Sequence, residues 1–344
     1  MPASSTSDKP EAPQSARLGA AFGRAARDVL VQSVRVCREL FVVMIPVVIG
    51  VKVLQELGAV PYLALPLTPL MALVGLPPEM GLVWATALLN NIYSAIIVFL
   101  TLGASTLTQA QVTVLATLIL VAHNLPVELG IARKSGARLR FQLVARFGGA
   151  LVLGMLLNAA YKALDTLQGP AVVLFTRPEA AAAPTLWLWA LGEGQKLVSI
   201  ALIVTALMAL MRLLTAVGAI DLLNRLLRPV LRLIGIGPAA SGITVAGLTL
   251  GVAYGGGLII FEAKSGRVDK RDVFFSLTLM GLCHSLIEDT LLMAMLGAHL
   301  SGILWARLVF ALAATALLVK CSARLAPGLA DRLLWSTVAR TPAP

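Results

Sequence analysis

The sequence predicts an all-α polytopic membrane protein, an inverted-topology repeat with six spanning helices and two re-entrant hairpins. Three observations carry that prediction. Of the 344 residues, 58% are hydrophobic and 13% charged, with a mean hydropathy of +0.88; a soluble domain holds about 25% charged residues. The apolar stretches approach the ~20 residues that a helix needs to cross the hydrocarbon layer, and none shows the alternation of an outer-membrane barrel strand. Finally, the chain matches itself. At a shift of 160, Gly58, Pro69, Gly75 and Pro78 pair with Gly218, Pro229, Gly235 and Pro238. One residue is then inserted, and at a shift of 161 Gly81, Tyr93, His123, Gly136 and Arg146 pair with Gly242, Tyr254, His284, Gly297 and Arg307. Paired Gly, Pro, Tyr, His and Arg in one register mark a duplication.

Residues 1–23 carry Ser, Pro, Ala and charge without the apolar core of a signal peptide, and read as a disordered cytoplasmic tail. The first repeat, 24–162, holds a long helix (24–57), a Pro-bracketed segment (62–75), an apolar stretch (78–102) broken by Asn90-Asn91, and helices at 109–133 and 139–162. Residues 163–186, with Gly169, Pro170 and Pro178, form an extracytoplasmic linker. The second repeat, 187–320, restates the series at 187–217, 219–234, 238–262, 272–296 and 302–320, with Gly255-Gly256-Gly257 as the break in its apolar stretch. Residues 321–344 form a second cytoplasmic tail. In 219–234, Arg225, Arg228 and Arg232 share one helical face opposite leucines, which predicts a helix lying flat on the cytoplasmic surface. Trp187 and Trp189 suit the outer interfacial belt.

Charge decides whether the two interrupted stretches cross the bilayer. If both cross, the loops hold 14 Lys/Arg on the inner side and eight on the outer. If both enter and leave on one side, the counts become 21 and one, the one being Arg177. The positive-inside rule selects the second arrangement, in the bacterial inner membrane with both termini cytoplasmic. The net charge of +11 therefore belongs to short loops against lipid headgroups, and a nucleic-acid partner is excluded. Cys37, Cys283 and Cys321 form no C-x-x-C and no disulfide framework.

An ionisable side chain at the bilayer centre costs about 2.5–3.5 kcal/mol even on lenient scales, so each one needs a partner, water or a task. His123, Asn124 and Glu128 lie near the middle of one helix, and His284, Ser285, Glu288 and Asp289 near the middle of its repeat. His284 and Glu288 are four apart and share a face. Pro126 should break the first of these helices and free carbonyls near Ala122. A broken helix facing a hairpin tip makes a polar site between repeats, with Asn90, Asn91, Tyr93, Ser94 and Tyr254 contributed by the tips. Three carboxylates favour a cation, a proton or a neutral polar solute. Two histidines with carboxylates are also a donor set for a divalent transition metal, with Cys283 adjacent, although no compact ligand spacing requires one. Arg146 and Arg307 open the last helices and can either pair with these acids or snorkel to the interface, snorkelling being the favoured expectation. A buried His–carboxylate bond that only stabilises the bundle is the alternative to solute binding.

The order of helix, interfacial helix, re-entrant hairpin, broken helix and helix, doubled and inverted, resembles the core of the concentrative nucleoside transporters. The segments GLPPEMGLVWATALLNNIYSAIIVF and IGIGPAASGITVAGLTLGVAYGGGLIIFEAKSGRVDKRD are similar to the nucleoside-recognition, or Gate, domain. That domain is shared with the membrane part of ferrous-iron transporters and with spore-maturation membrane proteins. The resemblance implies hairpin-bearing units that move as an elevator, often in homo-oligomers. Nucleoside transporters of that kind use Gln and Glu near the hairpin tips, where this chain has Asn90-Asn91 and Tyr254-Gly255. No G-x-x-x-x-G-K-[ST] occurs, so GTP-driven transport is not encoded.

The expectation is a secondary transporter of a small polar or cationic solute, coupled to protons or another cation. Its partners are lipid and its own substrate, and no cofactor is expected. A non-transporting membrane module that assembles with partner proteins is the alternative. H-E-x-x-H and G-x-S-x-G are both absent, which argues against an enzyme.

Overall fold

A computed structural model describes residues 14–102, 107–174 and 185–336. Apart from two isolated bridges, all regular structure among them is helical. In the first repeat the helices are α1 (Gln14–Glu56), α2 (Val60–Ala64), α3 (Thr68–Leu73), α4 (Met80–Leu89), α5 (Ile92–Leu102), α6 (Gln109–Val121), α7 (Leu125–Lys134) and α8 (Leu139–Ala163). The second repeat has α9 (Leu186–Ala216), α10 (Ala219–Leu233), α11 (Pro238–Leu250), α12 (Val252–Ser265), α13 (Lys270–Cys283), α14 (Glu288–Met295) and α15 (Arg307–Ser322), the last preceded by a π-turn at Ser301–Ala306. A short helix, α16 (Pro327–Leu333), follows. Among the described residues, five spans are long and apolar enough to cross a membrane: Gln109–Lys134, Leu139–Ala163, Leu186–Ala216, Lys270–Met295 and Ser301–Ser322. Arg27–Glu56 with its continuation, bent by 111°, adds a sixth. The protein is a multi-pass membrane protein.

The duplication extends to the backbone. Left-handed residues recur at Gly58 and Gly218, Gly75 and Gly235, Asn124 and Ser285, and Gly136 and Gly297, at the same two shifts that relate the sequences. Local sequence sets the helix starts. Thr108 accepts from the Gln111 amide while the Gln111 side chain accepts from the Thr108 amide, and Asp269 accepts from the Arg271 amide at the head of α13.

The contacts divide the loops between two faces. On one, Lys270 pairs with Asp331 at 2.6 Å, Arg138 donates to the Asp331 carbonyl, and Ala137 bridges to Trp335. Arg212 pairs with Asp28, and Arg228 and Arg232 line a cavity of about 510 Å³ with Glu262 and Arg267. On the other, Thr108 bridges to Pro170, the Leu174 amide donates to Met295, and Gln111 reaches the carbonyl of Gly75. Gln55 donates to the carbonyl of Thr101, so the start of α4 and the end of α5 lie together on this second face. The start of α11 and the end of α12 lie together on the first. Both pairs are therefore hairpins that return to the face they left. Residues 133–140 sit beside 263–271 and 320–336, which the arrangement with crossing stretches would have put on opposite sides.

Three sequence expectations change. Residues 14–23, expected in a tail, are the first turns of α1. Part of the 321–344 segment is packed structure, because Trp335 is buried against Phe274 and Phe275. Residues 337–344 and the linker residues 175–184, Arg177 included, lie outside the described ones. Finally, the second hairpin breaks at Gly251 (φ 88°), whereas Gly255-Gly256-Gly257 are helical. Gly251 is the repeat equivalent of Asn90, and only a residue without Cβ takes that backbone conformation without strain.

Candidate functional site

The spans α6–α7 and α13–α14 are both broken near their middles, and the two breaks meet. The first break runs from Ala122 to Asn124, where Asn124 is left-handed (φ 49°); the second includes His284 and Ser285 (φ 50°). Pro126 stands in the first turn of α7 and so marks the restart of the helix. The second break has no proline, and the equivalent position is Ile287. The expected continuous helix over 272–296 is therefore also two helices.

A break leaves carbonyls without helical donors, and each needs a partner inside a membrane protein. In the first repeat the Ile119 carbonyl accepts from His123 Nδ1 at 2.9 Å, and the Val121 carbonyl accepts from Arg146 Nε at 3.2 Å. Trp84 Nε1 adds a second bond to the Leu118 carbonyl, which keeps its helical donor, the Ala122 amide. In the second repeat Met280 accepts from His284 Nδ1 at 2.9 Å, and Leu282 accepts from Arg307 Nε at 3.3 Å. Arg307 Nη2 also donates to the His284 carbonyl. The hairpins close the remainder, with the Asn124 amide donating to Ala87 and the Leu286 amide to Leu248. Arg146 and Arg307 are 2% and 0% exposed, so snorkelling to the interface is overturned. Their fork of donors fits the carbonyls that the breaks release.

These bonds fix the histidine tautomers. A carbonyl can only accept, so both Nδ1 atoms carry hydrogen and both Nε2 atoms of the neutral rings present lone pairs. The two Nε2 atoms face each other at 3.2 Å across the axis relating the repeats. Glu128 Oε1 lies 3.6 Å from His123 Nε2 and 3.5 Å from His284 Nε2, while Glu128 Oε2 is held 2.7 Å from Arg146 Nη1. Asp289 completes the cluster, offering an oxygen within 4.8 Å of the ligand nitrogens of both histidines. A cavity of about 20 Å³ beside Glu128, Gln142 and Arg146 has room for about one water.

The other predicted residues behave differently. Tyr93 reaches across the repeats to donate to Glu288 Oε1 at 3.4 Å. Glu288 does not share a face with His284, because the helix between them is broken and the four-residue spacing loses its helical meaning. Asn90, Asn91 and Ser94 form their own network at the first tip: Asn91 Oδ1 caps the Ser94 amide at 2.8 Å, and Asn90 Nδ2 donates to Ser94 Oγ. Asn124 and Ser285 supply the left-handed hinge residues. The side chain of Tyr254 lies outside the described residues.

Sequence reasoning missed two polar features. Glu193 and Lys196, three apart within α9, form a buried ion pair at 2.6 Å, a spacing readable in the sequence. Gln142 Nε2 donates to Thr278 Oγ1 at 2.9 Å and ties α8 of one repeat to α13 of the other. No local signal marks that contact.

No family profile matches the chain, and no solved structure matches it. The chain is 31% identical over 279 residues, 79% of its length and 87% of the relative's, to the uncharacterized membrane protein YvoD of Bacillus subtilis strain 168. It belongs to the same family as that membrane protein.

Proposed function

We propose that the protein is a secondary transporter of the bacterial inner membrane, with both termini cytoplasmic, that moves a small polar or cationic solute through the site between the broken helices. One observation carries the reading: two inverted repeats each break a span at mid-length and bring His123, Glu128, His284 and Asp289 to one point, beside two hairpin tips. Ionisable groups so deep in a membrane protein are costly, and transporters place substrate and coupling-ion sites at the interface of such repeats. The resemblance to Gate-domain proteins agrees, and with it an elevator motion of the hairpin units, assembly as a homo-oligomer and coupling to protons or another cation. Nucleosides belong to the solute class to be tested.

Proteoliposomes loaded with a pH-reporting dye test this. At least one class among nucleosides, small organic cations and divalent metals should drive proton movement or be taken up as labelled solute, and His284→Ala should abolish it while the protein still inserts. A folded protein that responds to no class would overturn the proposal. The second reading, a non-transporting membrane module, draws on the backbone bonds from Asn124 to Ala87 and from Leu286 to Leu248, which tie each hairpin to a broken helix.

A further inference from the structure

We infer that His123, His284, Glu128 and Asp289 bind one divalent transition-metal ion on the axis relating the two repeats. The proposal goes beyond transport, because a metal bound here joins the halves whether or not any solute moves. Its basis is the juxtaposition of two lone pairs. With both Nδ1 hydrogens committed to the carbonyls of Ile119 and Met280, the Nε2 atoms 3.2 Å apart have nothing to share unless a cation lies between them.

The geometry distinguishes a metal from a lone proton. A proton lies on the line between two nitrogens and leaves the carboxylate oxygen unengaged. The three atoms His123 Nε2, His284 Nε2 and Glu128 Oε1 form a triangle with sides of 3.2, 3.6 and 3.5 Å. Its centre is about 2.0 Å from each corner, the bond length of zinc to imidazole nitrogen and to carboxylate oxygen. Asp289, with an oxygen within 4.8 Å of the ligand nitrogens of both histidines, is the repeat equivalent of Glu128 and moves in as the fourth ligand. The supporting bonds also match those of metal-binding histidines, whose second nitrogen usually donates to a carbonyl or carboxylate. Two imidazoles select zinc, iron, nickel or copper over magnesium or calcium.

The surrounding charges accept a dication. Glu128 and Asp289 bring carboxylate oxygens to the two neutral imidazoles, and a dication binds them in their deprotonated form. Arg146 engages only Oε2 of Glu128 and so leaves Oε1 for the ion. Arg307 points its Nε and Nη2 at carbonyls, which leaves Asp289, the equivalent of Glu128, available as a ligand.

The test uses the full chain, purified in detergent and stripped with a chelator. Titration with Co²⁺ should give one equivalent per chain and the visible absorption of a four-coordinate site, displaced by Zn²⁺. X-ray absorption of the Zn²⁺-loaded protein should show two imidazoles and oxygen near 2.0 Å. His123→Gln and His284→Gln should each weaken binding by at least about tenfold, whereas Glu193→Gln, in the remote ion pair, should leave it unchanged. Absence of stoichiometric metal in the folded wild-type protein, sulfur ligation in the absorption spectrum, or undiminished binding in a folded histidine variant would each overturn the site. Because binding is read without a membrane gradient, silence in the liposome assay alongside a bound metal would remove transport and keep the site. Solute-driven flux without bound metal would do the reverse.

Discussion

Arg146 Nη1 stands 2.7 Å from Glu128 Oε2, and both side chains are buried. The repeat equivalents, Arg307 and Asp289, do not copy this pair: Arg307 turns to the carbonyls of Leu282 and His284. Both arginines hold a helix break through Nε, but Arg146 also neutralises a carboxylate where Arg307 takes a second carbonyl, although the two occupy matching positions.

Removing one side of a buried ion pair leaves the other charged and unpaired, at a cost of about 3–5 kcal/mol. Arg146→Ala should lower the melting temperature of the detergent-solubilised protein strongly, and it also releases the Val121 carbonyl. Adding Glu128→Gln should restore part of the loss, because the orphaned charge goes with it. A double variant as unstable as the sum of the two single changes would show that the pair is not coupled.

The location of the second hairpin tip gives a contrast between glycines. Gly251 has φ 88°, and a Cβ there would lie 2.7 Å from Ser285 Oγ; Gly257 is helical with open space around it. Gly251→Ala should destabilise the protein by about 1–3 kcal/mol. Gly257→Ala should be neutral or slightly stabilising, by up to about 1 kcal/mol. Thermal melts of the two variants check the order, and equal effects would argue for a tip elsewhere.

Much of the fold was legible because membrane insertion writes itself into composition, and because duplication doubles every signal. The element series, the re-entrant stretches and the clustering of His123 with His284 follow from those two facts. The break at Ser285 was hidden, since only the first repeat carries a proline near it and the second replaces Pro126 with Ile287. The triple glycine drew the second tip to 255–257 because glycine is helix-weakening, whereas applying the repeat shift to Asn90 leads to Gly251. The burial of Arg146 and Arg307 depends on which carbonyls a break releases, and pattern alone does not carry that. The same holds for the asymmetry between Glu128 and Asp289.

The C-terminal segment provides a pH-dependent contact. Asp331 accepts from Lys270 Nζ and from Trp335 Nε1, each at 2.6 Å, and the lysine bond holds its carboxyl below the ordinary value of 3.8. A carboxylate depressed on folding adds stability above its unfolded pKa and loses it as pH falls through the folded value. Docking of α16 should therefore be constant from neutral pH down to about pH 4 and weaken below it. Asp331→Asn should loosen the segment at neutral pH as well. The environment of Trp335, followed by fluorescence in a background lacking the other tryptophans, reports both effects. The exposed position of the pair limits them to local changes.

Sidedness tests the hairpins by parity. Between Thr166 and Arg332 the chain makes three crossings, α9, α13–α14 and α15, if α11–α12 returns to its own face; it makes four if that pair crosses. Both positions are exposed, and Cys37 and Cys283 are buried, so replacing Cys321 by Ser gives a usable background. With an impermeant thiol reagent on intact cells, Thr166→Cys should react at once and Arg332→Cys only after permeabilisation. Reaction from the same side would make α11–α12 a crossing pair, and would separate Arg228 and Arg232 from Glu262 and Arg267, which line one cavity. Opposite sides with the labelling pattern reversed would keep α11–α12 as a hairpin and invert the molecule, placing its 21 clustered cationic residues outside, against the charge bias that orients membrane helices.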